Sequence, residues 1–324
     1  MKKSFKLFLA AAVLVTEFFV VALPLMITSA KADGHPIQAI THAGFGGGTD
    51  VTTRMMLLRT RRYLKQDMQL VNKKGGGGAA SMDYMMTLPA DGNHTLTWTT
   101  GHAVSMALGK TKVKLSDMQP LARGTDDPQL FVVNCKNDIK DAKKFISAQK
   151  SKSLKYGTTH VGGIDDVSAI AFTKKGKLTD PTIVAYKGVG PIKTNLIKGD
   201  IDVGVLNLGE AVTEIEDGTL CVSVVLASNR MEKLSNVPTA TELGIPVVLS
   251  TVRGFVTKKG VPADRKKQLE DAMIKAMEHK YFQSFLTDIG LDSTSVVGAD
   301  EWGKQMETML AEMTAQLKAL GYIK

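Results

Sequence analysis

Six histidines (His35, His42, His94, His102, His160 and His279), an adjacent acidic pair (Asp165, Asp166) and two cysteines (Cys135, Cys221) are the first candidates for chemistry in this 324-residue chain. None stands at a spacing that catalysis requires. No H-E-x-x-H motif sets two histidines on one helix face around zinc, and no G-x-S-x-G turn exposes a serine nucleophile. His42 and His160 lie inside glycine-rich loops within reach of a ligand, yet lone histidines fit loop hydrogen bonding better. Asp165 and Asp166 suit acid/base or metal work, but capping and the helix dipole already favour acids at a helix start. Two isolated cysteines lack the ligand spacing of a zinc site; in an exported chain they could pair, which sequence leaves open. The expectation is no enzyme, no metal site and no cofactor.

The glycines carry a clearer signal. "HAGFGGGTD" (42–50) separates an apolar strand-like run (37–41) from a helix expected over about 51–65. Bare amides at a helix start, with the dipole behind them, form a site for a carboxylate or another small anion. Gly46, Gly47 and Gly48 allow close approach to the backbone, and Thr49 or Asp50 is expected to cap the helix. A β-branched residue at Gly47 should block the amides and clash with a positive φ there. The loop is not a Walker loop, since no Gly-Lys-Ser/Thr follows. Nor is it G-x-G-x-x-G, since Thr49 stands where the third glycine would be. A second cluster, 75–78, follows Asn72-Lys73-Lys74, and a third, "YGTTHVGG" (156–163), precedes a helical run over 165–172. Glycine-opened helix starts on opposite halves of the chain fit a ligand held between two lobes.

These loops need a framework of alternating elements. Strand-like runs at 95–99, 130–133, 182–186, 201–205, 221–227 and 254–257 are separated by helical stretches, which predicts an α/β fold with largely parallel sheets. Val51, Met55 and Leu58 recur at helical spacing and are expected to face a core. Arg59, Arg61, Arg62 and Lys65 read as a solvated face. A C-terminal stripe of Trp302, Met306, Met309, Leu310, Met313, Leu317 and Leu320, behind Asp300 as a cap, reads as core packing rather than an interaction groove.

The first residues suggest export. Lys2, Lys3 and Lys6 precede an apolar stretch (7–27) and the small-x-small pattern Ala30-Lys31-Ala32, so cleavage is expected after about Ala32. Glu17 and Pro24 argue against the alternative, an uncleaved membrane anchor. No cysteine follows for a lipid anchor. Removing 1–32 lowers the formal charge from +9 to +6, which suits anionic ligands and falls short of a nucleic-acid footprint.

Six segments in order resemble the substrate-binding proteins of tripartite tricarboxylate transporters, the Bug family. They are "FGGGTD" (45–50), "NKKGGGG" (72–78), "PADG" (89–92), "AYKGVGP" (185–191), "KGDIDV" (198–203) and "NVPTATELG" (236–244). The resemblance implies a type II periplasmic-binding-protein fold, with two lobes closing on a ligand cleft. Lobe 1 would comprise 33–128 and 252–324, and lobe 2 would comprise 129–251. It implies a monomeric periplasmic receptor that delivers a small organic carboxylate to membrane permease subunits, without nucleic acid. Carried over by position, the site comprises Phe45, Gly46, Gly47, Thr49, Asp50, Thr99 and Thr100 from the first lobe. Thr158, Thr159, His160, Asp166, Tyr186, Gly188 and Asn207 come from the second. An exported enzyme using Asp165, Asp166 and His160, or a signalling receptor, are the competing readings. The chain departs from the family pattern near the ligand. His42-Ala43 replace Pro-Phe, Phe45 takes a small-residue position, His160 stands for a glycine, Gly163 for a serine and Asp166 for a histidine. Two carboxylates across the cleft would repel a second ligand carboxylate, so the ligand's far end is expected to be neutral or cationic.

Overall fold

The structure, a computed structural model, describes residues 35–159 and 161–323. The expected export segment with its cleavage after Ala32, and His160, lie outside the described residues. Among the described residues, no helix is long and apolar enough to cross a membrane.

The chain opens with β1 (Ile37–Thr41), α1 (Gly48–Leu64), β2 (Met68–Asn72), α2 (Ala79–Thr87), β3 (His94–Thr99), α3 (Thr100–Ala107) and a long β4 (Met118–Pro128). It then builds β5 (Leu130–Asn134), α4 (Ala142–Ser151), β6 (Lys155–Thr158), α5 (Ile164–Lys175), β7 (Thr182–Ala185), α6 (Val189–Lys198), β8 (Val203–Leu206), α7 (Leu208–Glu216) and β9 (Leu220–Val225). The return comprises β10 (Ser250–Lys258), α8 (Ala263–Glu278), α9 (Lys280–Asp288), β11 (Val297–Gly298) and α10 (Ala299–Ala319). One sheet has the order β11-β4-β10-β3-β1-β2 and the other β7-β6-β8-β5-β9.

Both sheets are mixed, not largely parallel. The β-α units pair in parallel (β1 with β2 and β3, β6 with β7 and β8), whereas β4, β5 and β10 pair antiparallel with their neighbours. The antiparallel strands are the ones at the passages between the sheets. Only Gln129 separates β4 from β5, and its amide donates to Leu249 O at 2.9 Å, just before β10. Its side chain donates to Thr251 Oγ1 at 2.6 Å, so the two passages are bonded side by side. Strand β4 escapes sequence reading because Pro120, Gly124, Pro128 and several charges break its apolar pattern.

The buried face of α1 corrects the expected one. Leu58 is exposed and Val51 and Met55 are partly buried, Met55 against the core, while the buried residues are Thr49, Asp50, Thr52, Thr53, Met56, Thr60 and Leu64. Threonine can face a core here because the hydroxyls of Thr52, Thr53 and Thr60 each find a carbonyl four residues back, while that of Thr49 accepts from Arg253. Thr53 Oγ1 donates to Thr49 O at 2.7 Å and meets Thr97 Oγ1 at 2.8 Å, while Thr60 Oγ1 donates to Met56 O at 2.8 Å. The C-terminal stripe does pack inward: Trp302, Met306, Met309, Met313 and Leu317 are buried, with Trp302 edge-on to Trp98 at 5.8 Å. Leu310 and Leu320 are only partly buried, and Gly298 rather than Asp300 takes the cap position.

Cys135 and Cys221 form a disulfide with Cα atoms 5.0 Å apart, across a sequence separation of 86. It lies at the end of the β5–β9 pairing, where Val133 already faces Cys221 in register. A closed loop of this length restricts the unfolded chain strongly, and such bridges typically contribute about 2–4 kcal/mol. Replacing both cysteines by serine should therefore lower the urea-unfolding free energy by about that amount. An unchanged midpoint would show that the bridge contributes nothing to stability.

Candidate functional site

The first loop joins β1 to α1 and is held by the side chains of Thr41, Asp50 and Asn72, which bond to its backbone. Gly47 is the N-cap residue at φ −71°, and the positive φ expected of it belongs instead to Gly46, at +75°. Neither Thr49 nor Asp50 caps the helix. Asp50 turns back: its Oδ2 accepts the Gly46 amide at 3.0 Å and the Arg54 Nε–H at 2.9 Å. Burial pushes the Asp50 carboxyl up, but Arg54 and the Gly46 amide outweigh it and hold it below the ordinary value. Phe45 projects from the loop, 76% exposed, with Lys74 Nζ 5.4 Å and Arg54 Cζ 5.9 Å from its ring centre.

The second glycine cluster buttresses this loop. All four of its glycines have positive φ, and a Cβ on Gly78 would stand 2.7 Å from His102 Cδ2. Sequence reading gave His102 no role; here it is wholly buried and in edge contact with His42, ring centres 4.4 Å apart. The Thr99 amide donates to His102 Nδ1 at 3.0 Å, so the ring proton sits on Nε2, facing Ser81 Oγ at 3.0 Å. Burial first, and His42 second, hold His102 well below the ordinary histidine value, so it stays neutral. Thr99 is thus committed to His102. Thr100 Oγ1 donates to Ser250 O at 3.0 Å and accepts the Val252 amide at 2.9 Å, fastening α3 to β10.

Facing elements belong to the second sheet. Thr158 ends β6 fully buried, and its hydroxyl has no hydrogen-bond partner among the described residues. Asp165 and Asp166 brace their own loop: Asp165 Oδ2 accepts the Thr159 amide at 2.9 Å and its hydroxyl at 2.6 Å, and Asp166 Oδ2 accepts the Gly162 amide at 2.6 Å. Tyr186 donates its amide to Thr158 O at 2.8 Å. Gly188, at φ +113°, begins α6. Asn207 is buried at the start of α7 and donates to the carbonyls of Asp127 and Pro128 at 2.9 and 3.0 Å.

One residue connects these parts, and sequence reading missed it. Arg253, in β10, is 2% exposed. Its guanidinium donates to Asp127 Oδ2 at 3.0 Å, Thr49 Oγ1 at 3.2 Å and Asn207 Oδ1 at 3.1 Å. The signal was a lone cation inside the apolar strand "TVRGFVT" (251–257). Thr49 and Asn207 therefore meet through Arg253, whereas Phe45 lies against Lys74 and Arg54, Asp166 holds the Gly162 amide and Tyr186 bonds to Thr158. Glu210 completes it: Oε2 accepts the Asn207 amide at 3.0 Å, and the Gly48 amide also points to this carboxylate. Burial raises the Asp127 carboxyl to about 7, against the pull of Arg253. Burial raises Glu210 as well, and raises Asp165 to about 6 although Thr159 opposes it. Among the described residues, no group of three or more His, Cys, Asp or Glu side chains converges to hold a metal ion. What the arrangement offers is charge, hydrogen bonds and a helix start.

A family model described as the tripartite tricarboxylate transporter family receptor matches residues 52–321. Protein BugT of Bordetella pertussis is 27% identical over 220 residues, which is 65% of this chain and 66% of BugT. MatC of Rhodopseudomonas palustris, solved with bound malate, aligns at 22% identity with a TM-score of 0.78, covering 87% of this chain and 98% of MatC. An R. palustris protein solved with adipate aligns at 20% identity with a TM-score of 0.81, covering 90% of this chain and 99% of its own. The fold is the two-lobed α/β fold of type II periplasmic binding proteins.

Asp165 generates a pH prediction. Its folded value near 6 exceeds the ordinary 3.8, so the folded state holds this proton more tightly than the unfolded chain does. The resulting stability is fully present below about pH 4 and is lost as pH rises towards 6. Asp165→Asn keeps an acceptor for Thr159 and cannot ionise. It should gain stability relative to wild type between pH 4.5 and pH 7, read from urea midpoints. A difference that stays constant with pH would contradict the raised value.

Proposed function

The chain belongs to the tripartite tricarboxylate transporter receptor family, and on that premise we propose that it is a periplasmic receptor for a small organic carboxylate. It would hand its ligand to membrane permease subunits. Residues 33–128 with 252–324 would form one lobe and 129–251 the other, with the paired passages at Gln129 and Ser250 as the hinge. The observation that carries the reading is the start of α1. There the first turn of the helix and its dipole stand against Arg253, which also holds Asn207 at the start of α7, beside a joint of only two chain passages. The malate and adipate found in two relatives of the same fold support a carboxylate as the ligand class. The Cys135–Cys221 bridge supports an oxidising compartment. Small carboxylates would dock on Gly46, Gly47 and Thr49, with Thr158, Tyr186, Gly188 and Asn207 across the cleft and Phe45 at its mouth.

Two outcomes test this. A carboxylate ligand at a hundredfold excess over its Kd should stabilise the protein by about 2.7 kcal/mol and reduce its radius of gyration in solution scattering. Failure of every carboxylate in a broad thermal-shift panel would remove the reading. Gly47→Val tests the loop itself. Gly47 has an ordinary φ, and a Cβ there would meet only Gly44 O at 3.4 Å. The variant should keep its melting temperature within a few degrees and lose tenfold or more in affinity. Wild-type affinity would take the loop out of the site.

A further inference from the structure

The start of α1 already has an occupant from the protein. A Cβ on Gly48 would stand 2.6 Å from Arg253 Nη2 and 3.5 Å from Glu210 Oε1, so a guanidinium and a carboxylate meet at the first residue of the helix. Glu210 comes from the second sheet's side. It is the third residue of α7, fixed by the Asn207 amide at 3.0 Å, and is not a mobile surface acid. The positive field here consists of one guanidinium and one helix start. Against it stand Asp127, already paired with Arg253, and Glu210, with Asp165 interacting electrostatically with both Arg253 and Glu210. Asp127 Oδ1 is buried and accepts no hydrogen bond among the described residues, leaving acceptor capacity in the same network.

Resting on the receptor reading above, we propose that Glu210 is a specificity-determining residue that admits one ligand carboxylate and rejects a second. The ligand class is then a monocarboxylate whose far end is neutral or carries an ammonium group, unlike malate or adipate. One incoming carboxylate would compete with Glu210 for the Gly48 amide and for the Arg253 guanidinium beside it. A second would add a negative charge to a site whose protein carboxylates already outnumber its cations, and like charges at such range repel strongly when partly shielded from water. An ammonium group instead supplies donors to the acids left without a cation.

Matched ligand series test this by calorimetry on wild type and Glu210→Gln: adipate, hexanoate and 6-aminohexanoate, and succinate, butyrate and 4-aminobutyrate. Glutamine retains an acceptor for the Asn207 amide, so the variant should fold. In wild type the amino acid should bind best and the dicarboxylate worst in at least one series. In Glu210→Gln the dicarboxylate should gain about tenfold relative to the neutral monocarboxylate, while the amino acid loses about tenfold. A purely structural role would shift all three ligands equally, and that result overturns the assignment. Tight dicarboxylate binding by wild type, unaffected by the substitution, also overturns it while leaving the receptor reading intact. Binding of no member by either protein overturns both.

Discussion

One buried positive charge, that of Arg253, ties the two sheets to the first helix. A guanidinium removed from water must be paired and hydrogen-bonded, and the loss of one partner from a buried ion pair costs on the order of 3–5 kcal/mol. Arg253 meets that requirement by drawing Asp127 from the end of β4, Asn207 from the start of α7 and Thr49 from the first turn of α1. Those three residues come from both sheets and from the passage between them. Satisfying one side chain therefore fixes how the second sheet's loops stand against the first helix. It also explains Gly48, where any side chain would collide with the guanidinium.

Much of the polar chemistry around the cleft maintains its shape. Asp50, Asp165 and Asp166 each take a loop amide, Thr99 takes the His102 ring, and Thr100 fastens α3 to β10. The groups left to meet a ligand are backbone amides at a helix start and a few side chains. A surface of charge and hydrogen bonds accords with a family of solute receptors. The acids with raised values are raised chiefly by burial, as befits carboxylates enclosed between two sheets.

Glycine serves two separate ends in the two clusters. At 46–48 it lets the loop amides reach Asp50, the Gly44 carbonyl and Glu210, with only Gly46 needing its positive φ. At 75–78 every residue is left-handed, and Gly78 makes room for the His102 ring beneath. The first cluster is a loop folded back on the start of α1, and the second is a filled joint. Composition alone does not distinguish them, because both read as runs of glycine before a helix.

The chain by itself determined the alternation of strands and helices, the glycine-opened start of α1, the inward stripe of α10 and the family. Each of these is local or periodic, so neighbouring residues carry the signal. The buried face of α1 was not legible, because threonine reads as polar until its hydroxyl finds an i−4 carbonyl. Strand β4 was hidden by its prolines and charges, whose distant partners, Gln305 and Ser295 for Arg123 and Arg253 for Asp127, exist only after the chain has folded. Thr49, Asp127, Asn207 and Arg253 lie up to 204 residues apart in sequence. Only tertiary structure could bring them to one point, because the interaction that unites them, a buried cation seeking partners, has no sequence period.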